Sequence, residues 1–118
     1  MRPPPPSKFQ IEIADVPQGK VVRLKGEVAA EEGDILRAQL MPVLSKRPKL
    51  VVFDLAELRF IASAGLGALA ALRRSLVSAG AQGRLAAIPE KLRDLMKVSG
   101  MTQLYTVYDT VEQALAAQ

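Results

Sequence analysis

The sequence predicts a single α/β domain with about four helices and a mixed sheet of four to five strands, opened by an N-terminal hairpin and parallel in its centre. Three observations predict it. The run Leu50-Val51-Val52-Phe53-Asp54-Leu55 is too short for an ordinary helix and too apolar for a half-exposed strand, so it reads as a buried central strand. After it, segments with helical spacing of apolar groups alternate with short apolar runs, and connections of that length imply parallel strands joined by right-handed crossovers. Before it, Phe9, Ile11 and Ile13 alternate with polar residues, and Val21, Val22 and Leu24 follow beyond the turn residues Pro17 to Gly19, which is the pattern of a hairpin.

Residues 1–7 contain four consecutive prolines and read as an extended, flexible tail, leaving 8–118 as the domain. The first strand starts near Lys8 and the second ends near Gly26. Glu31 and Glu32 then lead into a helix with Ile35, Leu36, Leu40, Val43 and Leu44 on one face, the acids lying near its positive end. Pro42 predicts a kink or an early stop in that helix. The central strand follows the turn-like Lys46 to Lys49. A second helix over Ala64 to Ala79 turns Leu69, Leu72 and Leu76 inward and ends at Gly80. Gly83 to Ile88 reads as a strand, and Pro89 suits the first turn of a third helix that buries Leu92, Leu95 and Met96 and stops at Gly100. A short strand around Leu104 to Val107 precedes a last helix with Val111, Ala114 and Leu115 inward, where Asp109 and Glu112 have the spacing of a capping box.

With 118 residues the chain can build one core without disulfides or a metal. It contains no cysteine and no histidine, which removes the commonest soft metal ligands, the thiol nucleophile and the usual proton carrier near neutral pH. No arrangement of carboxylates, Ser/Lys or oxygen ligands replaces them, so the expectation is a protein that is not an enzyme, with no catalytic residues, no metal and no cofactor. The N-terminus lacks the apolar stretch of a signal peptide, and no apolar run approaches the length of a membrane span, which predicts a cytoplasmic protein with no direct membrane insertion. The net charge of +4 raises nucleic acid or an anionic membrane surface as a partner. The basic groups, Lys46-Arg47-Pro48-Lys49, Arg73-Arg74, and Lys91 with Arg93 and Lys97, are small and lack interleaved aromatics for base stacking, so no nucleic acid is expected and an acidic protein partner stays open.

The stretch most informative about function joins the central strand to the second helix. Ala62, Ser63, Ala64, Gly65 and Gly67 leave the start of that helix almost bare, so another molecule can approach its backbone closely. Ser63 reads as an N-cap with a hydroxyl beside the positive end of the helix dipole. Asp54, at the strand end, reads as an acceptor for local backbone N–H groups and a support for the loop that follows.

The run FDLAELRFIASAGLGAL, residues 53–69, is similar to the signature of STAS domains: an Asp-Leu strand end, a loop with an aromatic, and a Ser-containing turn before Gly-Leu-Gly. Leu95 to Met101, Leu104 and Glu112 to Leu115 resemble the later helices of that family, so the likeness covers nearly everything after the proline tail. It implies an anti-sigma factor antagonist, in which the serine matching Ser63 is phosphorylated by a partner that is both anti-sigma factor and serine kinase of the GHKL type. It also implies a partner-binding surface of Gly26, Glu27, Ala62, Ser63, Ala64, Gly65, Leu66 and Gly67, with Gly26-Glu27 as a turn on the same edge. Known substrates of such kinases usually carry an acid before the serine and a second serine after it, where this chain has Ala62 and Ala64. The resemblance therefore leaves an alternative: a STAS subunit of a membrane transporter complex that binds the transporter ATPase without being phosphorylated. Nucleotide binding is not expected, because no glycine-rich loop followed by Lys-Ser/Thr is present.

Overall fold

Five strands stand side by side in chain order: β1 (Phe9–Val16), β2 (Gly19–Val28), β3 (Leu50–Ile61), β4 (Gln82–Ala86) and β5 (Thr106–Tyr108). In this computed structural model, which describes residues 9–117, β1 and β2 pair antiparallel and every later neighbour pairs in parallel. The proline tail expected at 1–7 lies outside the described residues. Helices α1 (Ala30–Ser45), α2 (Ser63–Ser78), α3 (Glu90–Val98) and α4 (Met101–Leu104) fill the connections, and α5 (Val111–Ala116) follows the last strand. Among the described residues there are thus five helices where about four were expected. The extra one is a single turn: Gly100, at φ +84, stops the third helix as predicted, but the chain at once recoils over Met101–Leu104. The last strand consequently starts at Thr106 and not at Leu104.

Pleat alternation divides the sheet into two faces. Val51, Phe53 and Leu55 of β3 point into the main core with Val22 and Leu24 of β2 and Leu85 of β4, beneath Leu36 and Leu40 of α1 and Leu69, Leu72 and Leu76 of α2. Tyr105 closes this core from the far side. Its ring meets Phe53 edge-on, 5.8 Å between centroids, and its hydroxyl donates to the Leu69 carbonyl of α2 at 2.6 Å. Burial pushes the Tyr105 hydroxyl well above its ordinary pKa, so it stays a donor across the physiological range.

The opposite residues of β3 and β4, Leu50, Val52 and Ala86, form a smaller core under Ala114 of α5. A buried cation fastens that helix. Arg84 of β4 donates to the carbonyls of Ala114 and, at 2.8 Å, Ala117, and its guanidinium lies 5.5 Å from the Tyr108 ring centre. Thr110, and not the expected Asp109, caps α5, accepting from the Gln113 N–H at 3.1 Å. The one-residue offset follows from β5 running on to Tyr108.

Two helical positions expected inside face water: Ile35 is 43% exposed and Leu95 37%, because α1 and α3 each present a narrower stripe to the sheet than their apolar residues allow. Pro42 does not end α1, which continues to Ser45; the proline sits on the exposed side.

Tyr105 should therefore separate packing from hydrogen bonding. Tyr105→Phe keeps the ring contact with Phe53 and is expected to cost about 1 kcal/mol, whereas Tyr105→Ala should cost roughly 3–5 kcal/mol, both read from urea unfolding midpoints at constant slope.

Candidate functional site

β2 and β3 end together, with Val28 paired to Ile61, and each passes directly into a helix. The two helix starts therefore share one rim at the carboxyl ends of parallel strands, the usual place for binding in open α/β sheets. At the first, Glu32 folds back to accept the Ala29 N–H at 2.9 Å. At the second, Ala62 donates its N–H to the Val28 carbonyl at 2.8 Å, and its own carbonyl accepts the first helical bond, from Leu66 N–H at 3.0 Å.

Ala62 is thus the N-cap of α2, and Ser63, expected in that role, is the first helical residue. The shift matters chemically. A serine at the N-cap turns its oxygen onto the first-turn N–H groups. Here no side chain caps the helix, and the N–H groups of Ser63, Ala64 and Gly65 precede the first possible intrahelical acceptor. Ser63 and Ala64 are exposed. The rim accordingly offers a free-standing hydroxyl, open backbone donors and the positive end of a 16-residue helix in one place.

Gly65 explains how the helix start is held there. It is buried, and a Cβ on it would lie 2.6 Å from the Val28 carbonyl oxygen and 2.8 Å from Ile61 Cγ1. Only a glycine lets α2 rest on the ends of β2 and β3. Leu66 is also buried, within the main core. These two residues, expected on the partner surface, support it from below. Gly67 is exposed, with nothing within 4 Å of a Cβ added to it, so it belongs to the open face with Ser63 and Ala64.

The Gly26-Glu27 turn is also revised: both residues lie within β2, and Gly26 is buried at φ +94. The register of β2 against β3 slips between Gly26 and Glu27 and again between Arg23 and Lys25, so β3 carries an extra residue at each place. A glycine with positive φ beside such a bulge is a backbone requirement. Glu27 remains near the rim, half-buried and opposite Phe60.

No loop follows Asp54, because β3 runs without a break to Ile61. Asp54 instead secures the first bulge. It is 4% exposed; one carboxylate oxygen accepts the Ala56 N–H at 3.1 Å and the other accepts Arg23 Nε at 3.0 Å. That hydrogen bond raises the pKa of Arg23 above its ordinary value. Glu12, Lys25 and Glu57 extend the ion-pair network over the uncovered face of β1, β2 and β3. Arg23 lay outside the sequence expectations, since a single charge in an alternating strand reads as solvated.

Phe60 is the other addition. Strand alternation turns its ring outward, and it stands 49% exposed three residues before Ser63. An exposed aromatic next to a bare helix start is an anchor of the kind protein interfaces use. Among the described residues no cluster of three or more acidic, histidine or cysteine groups could hold a metal ion, and no helix is long and apolar enough to cross a membrane.

A family model described as the STAS domain matches residues 10–114. The anti-sigma F factor antagonist of Paenibacillus polymyxa is 26% identical over 108 residues, 91% of this chain and 92% of that protein. BtrV of Bordetella bronchiseptica, also named as an anti-sigma factor antagonist, is 29% identical over 94 residues, 80% of this chain and 81% of that one. The crystal structure of an anti-sigma factor antagonist from Mycobacterium paratuberculosis superposes with a TM-score of 0.82 at 24% identity, covering 94% of each chain.

The two glycines of the helix start make opposite predictions. Gly65→Ala should destabilise the fold by about 1–3 kcal/mol through overpacking against Val28, whereas Gly67→Ala should stabilise it by roughly 0.5–1 kcal/mol by removing a flexible residue from an exposed helical position. Equal effects in urea unfolding would contradict this seating of α2.

Proposed function

The chain belongs to the STAS domain family, and on that premise we propose that it is an anti-sigma factor antagonist which binds its anti-sigma factor through the start of α2 and is released by phosphorylation of Ser63. The observation that carries this reading is the position of Ser63: exposed, first in a helix without a side-chain cap, with Phe60 nearby on the same rim. Curated relatives named as anti-sigma factor antagonists support the class of partner.

The switch follows from charge. The unmodified rim is small and nearly neutral, built of Ala62, Ser63, Ala64 and Gly67, so a partner can close against it and bury the Phe60 ring. Phosphoserine adds about −1.5 to −2 charges near neutral pH. The free helix tolerates this, since the first-turn N–H groups and the dipole favour an anion. A closed interface must desolvate it. Phosphorylation thus spares the fold and opposes the complex, and roughly 1.4 kcal/mol of difference already changes the binding constant tenfold. The kinase in this reading is the anti-sigma factor itself, of the GHKL type.

Wild type, Ser63→Ala and Ser63→Asp, titrated against the cognate anti-sigma factor with and without ATP, test the proposal. Ser63→Asp should bind at least about tenfold more weakly while melting no lower than wild type. Wild type, and not Ser63→Ala, should gain one phosphate in intact mass. Equal binding by all three with no mass gain removes the switch, and stable binding to a transporter ATPase in place of an anti-sigma factor gives the chain to the transport reading.

A further inference from the structure

Away from the Ser63 rim, the helical layer carries a second feature with a different chemistry. α1 and α2 touch near their starts, where a Cβ on Gly33 would lie 2.9 Å from Ala68 Cβ. Towards their C-terminal ends a groove of about 600 Å³ opens between them. Three guanidinium groups line it, those of Arg37, Arg47 and Arg74, and among the described residues none of the three has a carboxylate partner. No acidic residue occurs between Asp34 and Asp54 or anywhere in α2, so the positive field there is not neutralised locally. Leu44 and Ala71 contribute apolar lining, and Met41 stands beside them, 53% exposed.

Arg47 adds a separate clue. It adopts φ +54 two residues past the end of α1, immediately after the Lys46 C-cap, a position where glycine is the ordinary choice because a side chain there is strained. The chain accepts that strain and gains a third cation on the groove.

We propose that this groove docks an acidic, amphipathic helical segment of a partner protein, with Glu or Asp side chains on the three arginines and an apolar stripe over Met41, Leu44 and Ala71. The combination favours such a helix over simpler occupants. A phosphate backbone or an isolated anion would use the arginines and leave the apolar lining wet, and a flat membrane surface would reach the exposed arginines without filling the space between the helices. Arginine suits carboxylates through its paired N–H donors, and a groove between two helices accepts a third by its apolar face. Since α2 rises about 1.5 Å per residue, the groove lies roughly 12–24 Å along the helix from Ser63, so the two surfaces do not overlap and this docking does not require the proposed phosphoswitch.

A suitable probe is a fluorescent helical peptide with Leu at i, i+3, i+4 and i+7 and Glu elsewhere, titrated into the full chain by anisotropy and by amide NMR shifts. Shifts should concentrate at Arg37, Met41, Arg47, Ser75 and Ser78. Arg37→Gln with Arg74→Gln should weaken binding at least about tenfold, while Lys91→Gln with Lys97→Gln, which removes the same charge from α3, should change it less than about twofold. Arg47→Gly should weaken binding several-fold and yet raise the unfolding midpoint, a pairing that a merely structural arginine would not produce. Ser63→Asp should leave peptide binding unchanged. The proposal is overturned by equal losses in the arginine and lysine pairs, by equal binding of a peptide with Ser in place of Leu, or by inorganic phosphate or phosphatidylserine vesicles producing the same shifts as strongly.

Discussion

One close approach organises this molecule: the first turn of α2 sits on the ends of β2 and β3, with Gly65 against the Val28 carbonyl and the Ala62 N–H donated to the same oxygen. A side chain at Gly65 would push the helix off the sheet. With glycine there, the helix descends far enough for Leu66 and Leu69 to enter the core, which turns Ser63, Ala64 and Gly67 to the outside. The exposed rim is therefore a by-product of how tightly the helix packs.

The sheet is held to this task from its other face. Two bulges in β3 let a 12-residue strand pair with the shorter β2, and they need both Gly26 at positive φ and the Asp54 carboxylate that takes the Ala56 N–H. Because Arg23 grips the same carboxylate, a buried charge at the bulge is matched by a cation whose far side reaches water. Arg84 plays a comparable part at the opposite edge, where its guanidinium satisfies carbonyls at the end of α5 that would otherwise lie bare. Both arginines act as structural cations, Arg23 on a carboxylate and Arg84 on helix-end carbonyls, whereas the three that line the α1–α2 groove have no carboxylate partner among the described residues.

Much of this was legible in the chain itself. The central strand announced its burial by composition, the hairpin by alternation around Pro17 to Gly19, and the bare helix start by its run of small residues. What stayed hidden has physical reasons. Leu55 to Ile61 mixes charged and apolar residues, because half of an overhanging strand faces water, so it reads as a loop. Gly65 and Gly67 look alike in a sequence, and only the backbone behind them shows that one is a contact and the other an opening. Ser63 has the composition of an N-cap, but Val28 recruits the preceding N–H and moves the helix start by one residue. The exposure of Ile35 and Leu95 depends on how far each helix is tilted from the sheet, which periodicity does not encode.

The account rests on the α2 start being the surface that a partner covers. Residue-resolved amide hydrogen exchange, with and without saturating anti-sigma factor, measures this directly. The account predicts that the Ser63 and Ala64 amides, which have no intrahelical acceptor, exchange rapidly in the free protein and slow by at least about tenfold in the complex, while Arg84 to Ala86 stay unchanged. Protection confined to the β1 edge or to α3, with the α2 start still exchanging at its free rate, would contradict it.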